Sequence, residues 1–527
     1  MSDQFPPNDM TGEPTNPAIR IYGRRFHSGQ TPVEYLAEFL LVFASSKGDS
    51  ATRSHAFELT LGENLNRAIY WPEDRIALKL FTFFPTSKLD TRHDIHQKAY
   101  RQALDNLQEH IDGSNSEKDE TIRLLQSLFS GFVGVAKNRT WVTCSFLPVS
   151  TSLLARELDW LHSKASKTSK IATWNDAGEY FVADRHNFMA RGGELLFLQL
   201  AHLFSNHSSV IIEDISGNYS HIQNLSLLDL KSQTEKSLLS MLDSEILSLN
   251  ALSAFIDKSL NDFRWPKKER YASLGWVPIS TLPESLLFAY ELHNLVTSTL
   301  NNLEKLKLMQ TLCCMQVLRT LCFIASREDA HSNSIQGFIG NYAWIATNPN
   351  APIGVGTRKL AENSFDQIEA MLFRVLRKKA LTDSQAQGSM REAHKHGFEI
   401  FRKIAKQLEF VIPFTGRGQR FVLPSHLLCF FVVSLLAPGE RIRLTRFYER
   451  VFAHYGIALG ERQLAAALAW SGQQSDSRDY AVAADTHWIE ETLRQGGFLV
   501  ELSDAVSIVH NSTGHRQTHS ACDQDAN

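Results

Sequence analysis

The chain has 527 residues, 43% of them hydrophobic and 21% charged, with a formal net charge of -3. That length exceeds what a single hydrophobic core serves and implies about two to four domains. The composition excludes a disordered chain, and the near-neutral balance excludes attraction of the whole molecule to nucleic acid, so any such attraction has to be local.

The six cysteines (Cys144, Cys313, Cys314, Cys322, Cys429 and Cys522) form no CxxC pair and mostly sit in apolar runs, the pattern of buried thiols in a reducing compartment. The first residues have neither the basic nor the apolar stretch of a signal peptide. The longest strongly apolar run, 427–437, falls well short of the ~20 residues of a membrane span. The expectation is a cytoplasmic protein without membrane contact, with disordered polar tails at 1–18 and 511–527.

The first folded block, 19–150, reads as α+β. Thr31-Pro32-Val33-Glu34 has the form of a capping box, and the following helix to Ala44 gathers Leu36, Phe39, Leu40 and Phe43 on one face. Helices are expected over 92–111 and 117–130, parted by the polar turn 112–116, and Trp141 to Leu147 reads as a buried strand or extended segment. The middle block, 151–350, is helical in pattern: 225–263 and 284–326 carry apolar residues at helical period, separated by Trp265-Pro266 and the segment 278–283. Nothing repeats at a fixed period, which argues against a solenoid. The Pro- and Gly-rich loop 347–356 is the clearest boundary.

Residues 351–423 read as a basic helical pair plus a hairpin. Ser364 is suited to cap a helix to about Lys379, and a second helix runs from about Arg391 to Leu408. Phe410–Phe414 and Arg420–Leu423 then flank Thr415–Gln419 as a β-hairpin with a basic tip. From 424 to 510 come three short amphipathic helices, a fourth ending at Gly496-Gly497, and two apolar strands, 498–502 and 506–510. Helices closed by a small terminal hairpin outline a winged-helix-like module. The fold class expected is therefore mainly α and multidomain, with an α+β N-terminal block, a helical middle and a C-terminal winged-helix-like module.

Residues 354–420 hold 13 Lys and Arg against 7 Asp and Glu, a local excess of +6. Arg374, Arg377, Lys378 and Lys379 close one helix; Arg402, Lys403 and Lys406 lie on the next; Arg417 and Arg420 flank the hairpin tip. Arg441, Arg443, Arg446 and Arg450 carry the basic character into the last module. Cations gathered on one surface are what phosphate binding needs, because each neutralised phosphate releases counterions. The same cations late in helices also offset the helix dipole and solvate an exposed face. The residues expected to bind nucleic acid are Arg374, Arg377, Lys378, Arg402, Lys403, Lys406, Arg417, Arg420, Arg443 and Arg446. Within the module, the helix over Glu461–Trp470 is a poor groove reader, offering Arg462 and Gln463 and then mostly alanine and leucine, and the wing carries the acids Glu501 and Asp504. Docking to a protein is an equal reading of that module.

Arg185, His186 and Arg191 precede Gly192-Gly193 at a helix start, an arrangement able to cradle an anion, although it lacks the lysine and spacing of a phosphate-binding loop. A tight turn packed against the helix explains the same residues. Glu213, Asp214, Asp229 and Lys231 loosely suggest the acidic half of a metal-dependent nuclease, but Asp229 opens a helical stretch, where surface charge is the plainer reading. His394 and His396 stand two apart on a helix and so diverge; Gly354–Lys359 is a linker; Gly-x-Ser-x-Gly and HExxH are absent. No metal or cofactor is expected.

The phrases Ser145–Val149, His186–Glu194 and Gly497–Val509 resemble large helix-rich accessory proteins of bacterial antiphage defence systems, of the methylation-associated or phosphorothioation-dependent restriction type. The resemblance implies a subunit working beside an ATPase, methylase or nuclease encoded elsewhere in a multi-gene system, and assigns no catalytic residue. The expected function is a non-enzymatic subunit of an antiviral-defence or DNA-processing complex, binding double-stranded DNA or a partner protein through its basic C-terminal half. The alternatives are a cryptic nuclease or nucleotide-binding enzyme and a pure interaction scaffold.

Overall fold

The computed structural model describes residues 4–6, 17–23, 26, 30–48, 54–59, 68–72, 77–84, 94–129, 151–154, 159–160, 172–178, 181–182, 192–205, 219–222, 225–243, 247–263, 271–329, 334–353, 356–378, 391, 394–395, 397–472, 486–501 and 506–513. The fold is helix-rich with a few small sheets. Its first part contains α1 (Pro17–Tyr22), α2 (Pro32–Ala44), α3 (Ala77–Phe83), α4 (Asp94–Glu109) and α5 (Asn115–Leu128), with β1 (Gln4–Phe5), β2 (Ser46–Lys47) and β3 (Ile69–Trp71). Helix α2 starts as its sequence dictates: the Thr31 N–H donates to Glu34 Oε2 at 2.5 Å. At its far end, Lys47 Nζ donates to the carbonyls of Val42, Phe43 and Ser45 at 2.8, 3.3 and 2.7 Å, satisfying acceptors that the last turn leaves open.

The middle part holds β4 (Asp159–Trp160), α6 (Trp174–Gly178), β5 (Phe181–Val182), α7 (Gly192–Ser205), α8 (Leu227–Asp243), α9 (Leu247–Ser259), β6 (Ala272–Ser273), β7 (Val277–Pro278), α10 (Leu282–Thr297), α11 (Asn302–Glu328) and β8 (Trp344–Ile345). The apolar stretch 284–326 is broken at 298–301, where Asn301 Oδ1 accepts the Glu304 N–H at 3.0 Å and caps α11. Helix α11 is the spine of the fold, packed against α1, α2, α7 and α10 and against two helices of the C-terminal half. It is long and apolar enough to cross a membrane, but 83% of its apolar window is buried inside the protein. A helix apolar on all sides requires such surroundings.

The last part comprises α12 (Gly356–Val375), α13 (Phe398–Gln407), β9 (Val411–Ile412), β10 (Arg420–Phe421), α14 (Ser425–Leu435), β11 (Arg441–Arg443), α15 (Leu444–Tyr455), β12 (Ile457–Ala458), α16 (Glu461–Trp470), α17 (His487–Gln495), β13 (Leu499–Glu501) and β14 (Ser507–His510). The expected hairpin forms with Val411 opposite Phe421 and Ile412 opposite Arg420. The terminal strands pair as expected, and β11 adds a third strand in the antiparallel order β11–β14–β13.

Several expectations are corrected. Helix α12 begins at Gly356, so Ser364 is not a cap; its buried hydroxyl donates to the Ala343 carbonyl (3.1 Å) and accepts from the Ile345 N–H (3.0 Å), tying α12 to β8. The loop 347–356 does not separate independent cores: β8 pairs in parallel with β12, and the Thr347 N–H donates to the Phe421 carbonyl at 3.2 Å. One continuous hydrophobic cluster runs from Ala18 to Val509, so the described parts of the four sequence blocks share a core. Both expected tails hold ordered residues. Gln4–Phe5 pairs with β7, with the Phe5 ring stacked 4.4 Å from that of His202, and Asn511 and Thr513 are buried, the former donating to the Leu436 carbonyl at 2.8 Å. The strand expected over 141–147 lies outside the described residues.

Candidate functional site

The ten cations expected to bind nucleic acid separate by what the fold gives them. Arg374 meets Asp329 at 2.6 Å, Lys378 meets Glu328 at 2.9 Å, and Arg446 meets Glu449 at 2.7 Å. Arg402 holds both oxygens of Glu369 in a fork, each at 2.6 Å, the strongest geometry open to such a pair. Arg377 lies 3.2 Å from the Phe373 ring centroid with Nη2 on His394 Nε2 at 2.6 Å. Lys403 donates to the Gln30 carbonyl at 3.2 Å, and Arg420 is buried, donating to the Pro349 carbonyl at 3.1 Å. Lys406, Arg417 and Arg443 remain, making no ion pair among the described residues, and Arg441 joins them.

These four cations form two groups. Lys406 and Arg417 flank the β9–β10 tip, where Lys406 Nζ lies 6.0 Å from the ring centroid of Phe414. Arg441 and Arg443 alternate with Ile442 on the edge strand β11 and are both exposed. Lys379 and His396 lie outside the described residues.

The helix start at Gly192-Gly193 is occupied by the chain's own carboxylate: the Gly193 N–H donates to Glu38 Oε2 at 2.9 Å. The glycines are there for close approach. A Cβ on Gly192 would stand 2.0 Å from the Tyr35 ring, and one on Gly193 would stand 2.3 Å from the Tyr35 carbonyl oxygen. Burial, and then the neighbouring Glu194, push the Glu38 carboxyl well above its ordinary range. Arg185, His186 and Arg191 lie outside the described residues, as do Glu213 and Asp214. Asp229 sits in the first turn of α8, and Lys231 faces Glu58 and Glu235 at 3.8 and 3.9 Å, which is helix-surface pairing.

A polar network that the sequence did not announce lies where α10, α11 and α15 meet. Glu291 accepts Arg319 Nη1 and Nη2 at 2.7 and 2.9 Å, His454 Nδ1–H at 2.7 Å and the Tyr455 hydroxyl at 2.7 Å. Arg319 directs its remaining donors to Gln316 Oε1 (2.7 and 2.5 Å) and the His454 carbonyl (3.2 Å), so all its N–H groups have acceptors. Gln316 passes the chain to Gln199 at 2.7 Å, and Gln199 passes it to Thr320 at 3.0 Å. Burial alone would raise the Glu291 carboxyl; Arg319 and the His454 bond outweigh it and hold it below the ordinary range. Burial lowers His454 and so favours the neutral ring, and with Nδ1–H donated to the Glu291 carboxylate its Nε2 is left to accept from His221 Nε2 at 2.9 Å. Glutamate and histidine at hydrogen-bond distance suit acid–base chemistry, but Glu291, Arg319 and His454 are each 0% exposed and mutually saturated. None has a lone pair or proton left for a substrate. Among the described residues no group of three or more His, Cys, Asp or Glu is placed to hold a metal ion.

Neither a protein-family profile, nor a curated protein, nor a solved structure matches the chain.

Proposed function

We propose that the chain is a non-enzymatic subunit of a bacterial antiviral-defence or DNA-processing complex that binds duplex DNA through its C-terminal half. The observation that carries this reading is a set of cations that make no ion pair among the described residues: Lys406, Arg417, Arg441 and Arg443. A cation already matched to a carboxylate adds little attraction for phosphate, whereas a solvated one releases counterions when it meets one. The order α14, β11, α15, β12, α16, α17, β13, β14, with β12 pairing outside the module, supports a winged-helix-like assignment for the last module. In that assignment the helix leading into the wing is α17, packed on α14 and β13, rather than α16, which packs against β8 and β12. Its exposed Arg494 is engaged by Glu491 and Glu501, so α17 suits docking or bracing better than groove reading. The partners in this reading are other subunits of a multi-gene system.

Fluorescence anisotropy with a labelled duplex across a salt series tests the reading. Four phosphate contacts predict a slope of log K against log salt of about -3.6, against about -9 if all ten basic residues expected from sequence took part. A flat response, or no binding at about 50 mM salt, overturns the DNA reading and favours a protein-interaction scaffold.

A further inference from the structure

The β9–β10 hairpin presents an aromatic ring that its own packing does not use. At the base of the hairpin, Phe410 and Phe421 are buried 4.9 Å apart, and Phe410 meets Trp344 edge-on at 5.2 Å, so the base is fixed in the core. Phe414 at the tip is 65% exposed. Gly416, at φ +97, has nothing within 4 Å of the place a Cβ would take, so the turn is open to solvent at that residue, while Gly418 rests beside Glu362 of α12. Lys406 approaches the ring from α13, and Arg417 is exposed three residues after Phe414 in the turn. The nearest exposed acid in sequence is Glu409, at the foot of the hairpin, and Glu362, beside Gly418, is engaged by Arg358 at 3.3 Å. An exposed ring, with one cation near it and another on the same turn, suits a base and its neighbouring phosphates, because any base has a π-face and stacking tolerates sequence.

We infer that this hairpin is a stacking wedge, with Phe414 stacking on a base that has left the double helix while Lys406 and Arg417 contact the flanking phosphates. The inference rests on the DNA reading and narrows its ligand to DNA carrying an unstacked base. The test uses the full chain with two probes: a fully paired duplex, and the same duplex with an unpaired 2-aminopurine. Wild-type protein should prefer the second probe roughly fivefold to a hundredfold, the range that base–aromatic stacking supplies, and should change the 2-aminopurine fluorescence on binding. Phe414→Ala should lose both the preference and the fluorescence change, while Phe414→Trp keeps them. Phe414 is exposed, so Phe414→Ala should leave melting unchanged and paired-duplex affinity within about twofold. Equal affinity of wild-type protein for the two probes overturns the wedge, as does a Phe414→Ala variant that retains the preference or loses affinity equally for both. Absence of binding to either probe overturns the DNA reading itself.

Discussion

Replacing Arg319 with leucine removes every donor that the Glu291 carboxylate receives from that side while leaving His454 and Tyr455 in place. Removing one partner of a buried pair strands the other charge, at a cost of about 3–5 kcal/mol, a large share of the roughly 5–15 kcal/mol that holds a folded domain together. The loss should depend on pH with a definite sign. In the wild type the Glu291 carboxyl is held low, so its stabilising contribution is present above the unfolded value and lost as pH falls toward the folded one. In the variant, burial without the cation raises it, so the variant gains relative stability as pH falls. Chemical denaturation at about pH 8 and about pH 5 should therefore show the larger gap between the two proteins at the higher pH. A companion variant carrying both Arg319→Met and Glu291→Leu buries no charge at this site and should recover part of the loss, the rest remaining because His454, Tyr455 and Gln316 lose hydrogen-bond partners. A cost below about 1 kcal/mol for the single variant, or a double variant no more stable than the single, would refute the assignment of this network as a charge-matched brace.

Two further perturbations follow from buried groups. His202 is buried against Phe5, and burial lowers its ring from 6.5 to about 4. The unfolded chain takes up that proton near its ordinary value and the folded one only near the lower value. Stability present above pH 6.5 is thus lost as pH falls through 6.5 toward 4, by about 3 kcal/mol at about 1.36 kcal/mol per unit. His202→Phe should flatten that part of the stability–pH curve, and equal slopes for the two proteins would sink the claim. Gly193→Ala places a methyl 2.5 Å from Glu38 Cβ and 2.6 Å from the Phe39 backbone nitrogen, which α2 cannot yield without parting from α7. The expected loss is about 1–3 kcal/mol in denaturation, and an unchanged midpoint would show that the two helices have slack.

Local signals in the sequence are legible because they act locally. The capping box at Thr31 and the polar turn after α4 each concern residues within a turn or two, and the elements begin and end close to where those signals place them. Ser364 misled because an N-cap and a hydroxyl that ties a helix to a strand have the same composition; only the strand at 344–345 tells them apart. The excess of positive charge over 354–420 does not reveal which of its cations are matched by acids, for a related reason. Two of the acids that answer it, Asp329 and Glu328, lie outside that window, 45 and 50 residues from their partners. The Glu291 network was invisible because its arginine and histidine stand 28 and 163 residues away. Strand β11 was missed because Arg441-Ile442-Arg443 offers one apolar residue, too few to show alternation.

The same long-range ties bear on how the C-terminal half can work. The hairpin is anchored through Phe410 and Phe421 to Trp344, and the strand carrying Trp344 pairs with the one that follows α15. Helix α15 in turn commits His454 and Tyr455 to Glu291, on a helix packed against the α11 spine. A hinge between the basic C-terminal elements and the rest would have to break a desolvated charge network and an aromatic cluster together, each worth several times the thermal energy. The fold therefore fixes to the body the base of the hairpin that carries Phe414 and Arg417 and the helix that carries Lys406. Affinity from such a display comes from having little left to order on binding. A ligand must bring its own deformation to the hairpin, which is why DNA with a base already unstacked is the substrate expected to separate wild type from Phe414→Ala.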